Sequence, residues 1–227
     1  MSRCKGAMLA TLVLSVLVGC QQAPPPFLAE YPTIDMLIEN GAVLDGLGND
    51  AMIADVVVVG DKIIFVGDAD FSADDIESRV EKRIDATGKT VAPGFIDLHS
   101  HGNPLETPEF ENFLAMGVTT ISLGEDGDSP YVEPLSDWLA EVSNKGIGTN
   151  LAMFVGHGTL RDQSGIGMSG DPEPEASARM LELLDESLKY TFGLSTGLEY
   201  NPGLNASTEE LRELAKVVGR NDRMIMS

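Results

Sequence analysis

From residue 91 onward, short apolar runs alternate with amphipathic segments, and this alternation constrains the fold of the chain more than any other feature. The runs predict strands at residues 90–98, 118–123, 149–155 and 192–197, with a further strand beginning at Met224. Helices are predicted at residues 108–116, 132–143, 173–190 and 208–218. Ser207 and Glu210 have the spacing of a capping box at the start of the last helix. Strands that alternate with helices are typical of a parallel βα array.

The first of these strands ends in two histidines separated by one residue, His99 and His101. Alternate side chains of a strand point to the same side, so both imidazoles, with Asp97 before them, are expected to emerge together. Such a group can bind a divalent metal ion. The alternative is a pair of exposed histidines at a strand end. The third histidine of the chain, His157, follows the apolar run at residues 151–155.

Before this array, residues 35–84 contain short β-like runs. Turn-forming pairs such as Asn40-Gly41 and Gly60-Asp61 separate the runs. This pattern predicts a small antiparallel sheet with strands at residues 36–38, 42–44, 56–59 and 63–66.

Charge and cysteine content exclude several classes of partner and site. A formal charge of −21 argues against nucleic acid as a partner, because the chain lacks the basic surface that displaces counterions from phosphates. The two cysteines, Cys4 and Cys20, both lie in the first twenty residues, so the body of the chain has no disulfide framework and no thiolate metal site.

The first twenty residues have the features of a lipoprotein signal. Arg3 and Lys5 precede an apolar run at residues 7–18, too short to span a bilayer comfortably, and the run closes with LVGC, which resembles a lipobox. We therefore expect a signal peptide at residues 1–19, lipid on Cys20, and an extended tether at residues 20–34. The alternatives are a cleaved secretory peptide or a membrane anchor.

This signal predicts a location in the cell envelope, with membrane contact only through the lipid on Cys20. Gln21, rather than Asp, follows the lipidated cysteine. In a Gram-negative cell, lipoprotein sorting would then favour the outer membrane, with the domain facing the periplasm.

Several motifs in register resemble one enzyme family. Residues 35–46 and 85–101 resemble the opening of the amidohydrolase superfamily. The motifs GVTTISLG at residues 117–124, GHGTLR at 156–161 and GLSTGLEYNPG at 193–203 are similar to those of the N-acyl-D-amino-acid deacylases, or D-aminoacylases. The resemblance implies part of a small β-sandwich at residues 35–90 and the first half of a metal-dependent (β/α)8 barrel at residues 91–227.

A (β/α)8 barrel needs about 250 residues. The resemblance places the family's remaining metal histidines and its catalytic aspartate on strands beyond Ser227. We therefore expect an N-terminal part of a longer protein, inactive by itself and without an assigned catalytic residue. A natural half-barrel is the alternative, although it would expose unpaired edge strands.

The resemblance also implies metal ligands. It makes His99 and His101 ligands of a site for one or two zinc ions. Asp126 stands where the family has a cysteine, and Glu199 is a second candidate carboxylate, because other amidohydrolases place a bridging carboxylate at that strand end. The alternatives are that Asp126 is a turn residue beside Gly127 and that Glu199 is a solvated loop residue.

His157, Arg161 and Tyr200 are the candidate substrate-binding residues, with Arg161 placed to pair a carboxylate. A structural ion pair is the alternative for Arg161.

The resemblance implies zinc-dependent hydrolysis of linear amide C–N bonds other than peptide bonds. The substrate would be a small N-acyl amino acid or a related amide, and the products a D-amino acid and a carboxylic acid. The alternative is a non-catalytic, envelope-anchored binding lipoprotein that retains a degenerate barrel.

Overall fold

A computed structural model describes residues 27–68 and 78–227. The chain divides into two compact units, Met1–Pro93 and Gly94–Ser227. Cys20, the predicted signal peptide and the first part of the predicted tether lie outside the described residues. Residues 27–34 of that tether are folded rather than extended, since they contain helix α1 (Phe27–Glu30) and the first residue of a strand. In the part of the chain that the structure describes, no helix has the length and apolarity needed to cross a membrane.

The described residues of the first unit form one five-stranded sheet. Its strands are β1 (Ile34–Val43), β2 (Met52–Val59), β3 (Lys62–Gly67), β4 (Val80–Asp85) and β5 (Thr90–Val91). The order is β3-β2-β1-β4, and β5 also pairs with β1. The predicted antiparallel pairing is confirmed for β1 with β2 and for β2 with β3. Strands β4 and β5 were not predicted in this sheet, and both run parallel to β1.

The pair Asn40-Gly41 forms a bulge within β1 instead of the predicted turn. The register between β1 and β2 shifts between Ile38 and Gly41, and Asn40 has a φ of 59°. A Cβ on Gly41 would lie 2.4 Å from Cγ2 of Val91, so only glycine fits this point of the strand. The extra residue of the bulge lets β1 continue through a sequence that elsewhere forms turns.

The second unit contains one parallel sheet with helices between its strands. The strands are β6 (Phe95–Asp97), β7 (Val118–Leu123), β8 (Asn150–Gly156), β9 (Gly193–Ser195) and β10 (Met224–Met226). The helices are α2 (Glu111–Ala115), α3 (Leu135–Lys145), α4 (His157–Gln163), α5 (Pro174–Ser187) and α6 (Thr208–Arg220), with a short 3-10 helix at Gly203–Asn205. The sheet order β10-β9-β8-β7-β6 follows the chain, and every pairing is parallel. This confirms the predicted α/β class and incomplete (β/α)8 barrel.

The predicted strand at residues 90–98 is wrong, because two separate strands replace it. β5 pairs with β1 in the first sheet, whereas β6 pairs with β7 in the second. Pro93 lies between them and has no amide hydrogen to donate to a strand ladder. The chain therefore leaves one sheet before it enters the other.

One helix is much shorter than predicted and another was not predicted, while the start of α6 is confirmed. The Oγ of Ser207 accepts a hydrogen bond of 3.1 Å from the amide of Glu210, as a helix N-cap does. Helix α2 is shorter than predicted, since Phe110 adopts a left-handed conformation before it. Helix α4 was not predicted.

Apolar faces of the helices pack on the parallel sheet in two clusters. α5 and α6 contribute Leu184 and Leu214 to a cluster that also contains Leu194 of β9. α3 contributes Trp138 to a second cluster with Ile121 of β7. Burial on this scale stabilises the sheet by about 1.5–3 kcal/mol for each large side chain. It thereby fixes the strand ends at which the polar residues lie.

Candidate metal centre

Three potential metal ligands converge at the carboxyl ends of two neighbouring strands. His99 and His101 follow β6, and Asp126 follows β7. The Oδ2 atom of Asp126 lies 3.2 Å from Nε2 of His99 and 3.3 Å from Nε2 of His101. The ligand atoms of this His/Asp cluster all lie within 4.8 Å of one another. This is the strand end at which barrel enzymes gather their functional groups.

The spacing of the His/Asp cluster suits a tetrahedral metal ion. Two ligands that are each about 2.0–2.1 Å from zinc lie about 3.3–3.4 Å apart in a tetrahedron. The measured separations of 3.2 and 3.3 Å between Asp126 and the two histidines are close to that value. Two imidazole nitrogens and one carboxylate oxygen are also ligands that zinc accepts, so the residues present fit this metal.

The loop that carries Asp126 is held in an uncommon backbone conformation. Gly124, Asp126 and Gly127 have φ values of 88°, 56° and 75°. Aspartate tolerates the left-handed region better than most residues do, and glycine enters it freely. Asp126 is therefore a turn residue, which was the alternative prediction, and also a member of the His/Asp cluster.

Close backbone packing fixes this loop against the segment after β9. A Cβ on Gly197 would lie 1.9 Å from the carbonyl oxygen of Asp126. Ser195 adds two hydrogen bonds, since its Oγ donates to the carbonyl of Gly124 and accepts from the amide of Gly127. Ser195 is thus a structural contact between two strand ends.

Helix α4 holds the same loop from the other side. The amide of Gly158 donates a 2.8 Å hydrogen bond to the carbonyl of Gly127. The amide of Ser129 donates a 2.8 Å hydrogen bond to Oγ1 of Thr159. The position of Asp126 therefore depends on the position of α4.

A cavity of about 500 Å³ lies beside the His/Asp cluster. His101, Asp126 and Tyr200 line it, so the structure brings Tyr200 next to two of the candidate metal ligands. Glu199, in contrast, is exposed and is neither in the described cluster of metal-binding side chains nor on the wall of this cavity. This exposed position agrees with the alternative prediction for Glu199, which was a solvated loop residue.

Asp97 has a local role. Its Oδ1 accepts a 3.1 Å hydrogen bond from the amide of His99. The carboxylate thus shapes the backbone that presents the histidines and does not belong to the His/Asp cluster itself.

Arg161 and His157 are buried in an ion-pair network and do not line the cavity beside the His/Asp cluster. Both side chains have 0% exposure. Nη1 of Arg161 donates to both carboxylate oxygens of Glu210 at 2.6 Å, and Nε2 of His157 lies 2.7 Å from Oε1 of the same residue. Arg161 therefore makes the structural ion pair that was the alternative, and the prediction that it pairs a substrate carboxylate is corrected. The reason is that Glu210 satisfies its guanidinium inside the protein.

Glu210 is the residue that reasoning from sequence missed. Burial by itself would raise the pKa of the Glu210 carboxyl, but hydrogen bonds from His157 and Arg161 and the charge of Arg161 outweigh burial and lower that pKa. Its position in the capping box was visible in the sequence. A capping-box glutamate normally bonds back to its own helix start, whereas the Glu210 carboxylate binds α4.

Comparisons with known proteins show similarity to one group of enzymes. No family model matches the chain. The N-acyl-D-glutamate deacylase of Alcaligenes xylosoxydans xylosoxydans is 31% identical over 207 residues, which are 81% of this chain and 41% of that protein. The D-aminoacylase of the same organism is 30% identical over 206 residues, with 80% and 41% coverage. The chain thus spans about two fifths of the length of these curated relatives.

A solved structure shows the same fold. The N-acyl-D-glutamate deacylase of Bordetella bronchiseptica, complexed with zinc and a phosphonate inhibitor that mimics the tetrahedral intermediate of the reaction, has a TM-score of 0.77 at 28% identity. The similarity covers 85% of this chain and 44% of that structure. By sequence and by fold, the chain is similar to members of the D-aminoacylase family of the amidohydrolase superfamily.

Proposed function

We propose that the protein to which this chain belongs is a metal-dependent hydrolase that releases D-amino acids from N-acyl-D-amino acids. The observation that carries this proposal is the convergence of His99, His101 and Asp126 at the ends of adjacent parallel strands. The relatives supply the reaction class, since both curated relatives described above are named for the removal of acyl groups from D-amino acids.

In this proposal, His99 and His101 hold zinc through their Nε2 atoms, and Asp126 supplies the carboxylate that balances the charge of one or two ions. Zinc supplies a nucleophilic water at neutral pH and a Lewis acid for the amide carbonyl. The loop around Asp126 needs no rearrangement to present its Oδ2 atom, because the packing of Gly197 and Ser195 already fixes it. Preorganisation of this kind lowers the cost of binding the ion.

The charge of the neighbouring cavity favours a substrate with a neutral side chain. Asp128 and Asp162 line this cavity, and none of the described residues on its wall is Lys or Arg. With Arg161 engaged by Glu210, a second carboxylate on the substrate would meet repulsion here. We therefore propose N-acyl derivatives of neutral D-amino acids, with Tyr200 as a hydrogen-bond donor, rather than those of D-glutamate.

Amino acid release tests this function. The full-length protein with zinc is expected to hydrolyse N-acetyl-D-leucine faster than N-acetyl-D-glutamate, and chelation is expected to stop both reactions. The same assay with N-acetyl-L-leucine is the control for chirality. Absence of turnover on all three compounds by folded, zinc-loaded protein would favour the non-catalytic binding lipoprotein.

We also propose that Cys20 anchors the protein to the cell envelope through a lipid, on the basis of the LVGC motif. Cys20→Ala is expected to move the protein from the membrane fraction to the soluble or precursor pool. Cys4→Ala is the matched control, because Cys4 precedes the proposed cleavage point and should leave fractionation unchanged. Membrane association that survives Cys20→Ala would reject the lipid anchor.

A further inference from the structure

Two buried polar residues alternate in sequence with the members of the His/Asp cluster. Ser100 lies between the two histidines, and Glu125 directly precedes Asp126. Ser100 is 3% exposed and Glu125 is 2% exposed, whereas the side chains of His99, His101 and Asp126 are 54%, 68% and 37% exposed. The same two loops therefore present one set of side chains to the His/Asp cluster and bury the alternate set.

Each of these buried residues has an oxygen without a hydrogen-bond partner. Oε1 of Glu125 accepts a 2.5 Å hydrogen bond from Oγ of Ser122. Among the described residues, neither Oε2 of Glu125 nor Oγ of Ser100 has a partner. Burying a carboxylate oxygen without compensation is costly, and nearly all buried polar atoms in native proteins are satisfied. A water molecule or a cation in the adjoining space would satisfy both oxygens.

The space for such a partner is a cavity of about 250 Å³ that both residues line. Asp128 and Asn103 add further oxygen donors to its wall, and Trp138 closes part of it. No Lys or Arg is among the described lining residues, so no side chain in the cavity neutralises the two carboxylates. An oxygen-rich wall with two negative charges suits a hard divalent cation, which takes carboxylate, hydroxyl and amide oxygens as ligands.

We propose that this cavity binds a hard divalent cation such as Ca²⁺, with Glu125 Oε2 and Ser100 Oγ as its anchoring ligands. Its two anchoring ligands lie outside the His/Asp cluster, although His101 and Asp128 line both this cavity and the cavity beside the cluster. The oxygen atoms of Glu125 and Ser100 favour Ca²⁺ or Mg²⁺ over zinc, and the free volume favours the larger and more flexibly coordinated Ca²⁺. The proposal does not depend on hydrolase activity, because its readout is the binding of an ion and not the hydrolysis of an amide.

Terbium luminescence tests the proposal directly, because Tb³⁺ replaces Ca²⁺ and is sensitised by a nearby indole. Trp138 is the only tryptophan of the chain and lines the cavity. The full chain, loaded with zinc so that the His/Asp cluster is filled, is expected to give saturable Tb³⁺ emission on tryptophan excitation. Excess Ca²⁺ is expected to displace that emission. Emission that does not saturate, or that Ca²⁺ does not displace, would mean that the cavity holds only water.

Variants locate the ion. Glu125→Gln is expected to weaken Tb³⁺ binding by about tenfold or more, since it removes a charged ligand. Glu141→Gln is the matched control, because Glu141 is an exposed carboxylate on the same helix as Trp138 and lies outside the cavity wall. Equal affinities of folded Glu125→Gln and of the unchanged protein would overturn the proposal.

Two further variants keep the test decisive if Glu125→Gln does not fold. Ser100→Ala is a smaller change and is expected to weaken Tb³⁺ binding several-fold. Trp138→Phe is expected to abolish the emission while Ca²⁺ binding persists in calorimetry. Emission that survives Trp138→Phe would place the ion near a tyrosine elsewhere and reject this cavity as its site.

Discussion

Replacing His99 or His101 by alanine is expected to remove most of the bound zinc and all measurable amide hydrolysis from the full-length protein. Each change deletes one nitrogen from a small set of ligands that lie within 4.8 Å of one another. Removing a residue that only orients a metal ligand typically lowers metal affinity or activity about 10–100-fold. Removing a ligand itself should therefore lower both by more than about 100-fold. Metal analysis of the purified protein and release of D-leucine from its N-acetyl derivative measure the two effects.

These losses should occur without loss of the fold. The side chains of His99 and His101 are 54% and 68% exposed, so their removal leaves no buried cavity. Thermal unfolding of the zinc-free proteins is therefore expected to be the same for both alanine variants and the unchanged protein. A much lower unfolding temperature of a zinc-free variant would show that the histidine has a structural role. A loss of activity would then not identify it as a metal ligand.

Asp126 gives the sharper test of the ligand set, because its carboxylate is equidistant from both imidazoles to within 0.1 Å. Asp126→Asn keeps the shape and removes the charge, so zinc affinity and turnover should both fall. Asp126→Cys is expected to retain part of both, since a thiolate also binds zinc. Glu199→Gln is the matched control. If Glu199→Gln loses zinc while Asp126→Asn retains it, the ligand assignment moves to Glu199.

The parts of the fold that were predictable from sequence are those determined by local patterns. The strands at β7 and β8 and the start of α6 follow directly from apolar runs and from the Ser207 cap. Parallel pairing of β4 and β5 with β1 was not predictable in the same way, because it joins segments distant in sequence. Short runs between turn residues do not distinguish a hairpin from such a crossover.

Helix α4 shows a second limit of local reasoning. Gly158 and Thr159 are poor helix formers, so residues 157–163 carry no local helix signal. The helix forms because tertiary contacts bury its residues 157–161, including Arg161. The pair His99 and His101 was accessible from the end of an apolar run, whereas Asp126 was accessible only through the resemblance to the D-aminoacylases, which have a cysteine at its position. The pairing of Arg161 with Glu210 was not accessible, since an excess of acidic residues offers many partners.

Glu210→Gln is expected to destabilise the protein by about 3–5 kcal/mol at neutral pH, because it leaves the buried charge of Arg161 uncompensated. Arg161 has 0% side-chain exposure, and its remaining partners are the carbonyls of Gly167 and Ser169. Urea unfolding measures the loss. Glu209→Gln is the matched control, since Glu209 is an exposed neighbour whose surface pair with Arg212 contributes at most about 1 kcal/mol.

The same substitution should change how stability depends on pH. The pKa of Glu210 is lowered in the folded protein from its ordinary value of 4.5. The stabilisation from its ionised form is therefore complete above that value and is lost as the pH falls through the lower folded pKa. Glu210→Gln lacks this titration, so its unfolding free energy should fall less steeply than that of the unchanged protein below about pH 4.5.

The consequence should extend to the metal site, because α4 connects Glu210 to the Asp126 loop. Glu210 holds Arg161 and His157 of α4, and the amide of Gly158 in that helix donates to the carbonyl of Gly127. Loosening α4 is therefore expected to lower zinc affinity in Glu210→Gln, although Glu210 is not part of the His/Asp cluster. The Glu209→Gln control should keep both stability and zinc affinity. Equal stability of the two variants, with parallel pH profiles, would show that the buried ion pair neither stabilises α4 nor positions Asp126.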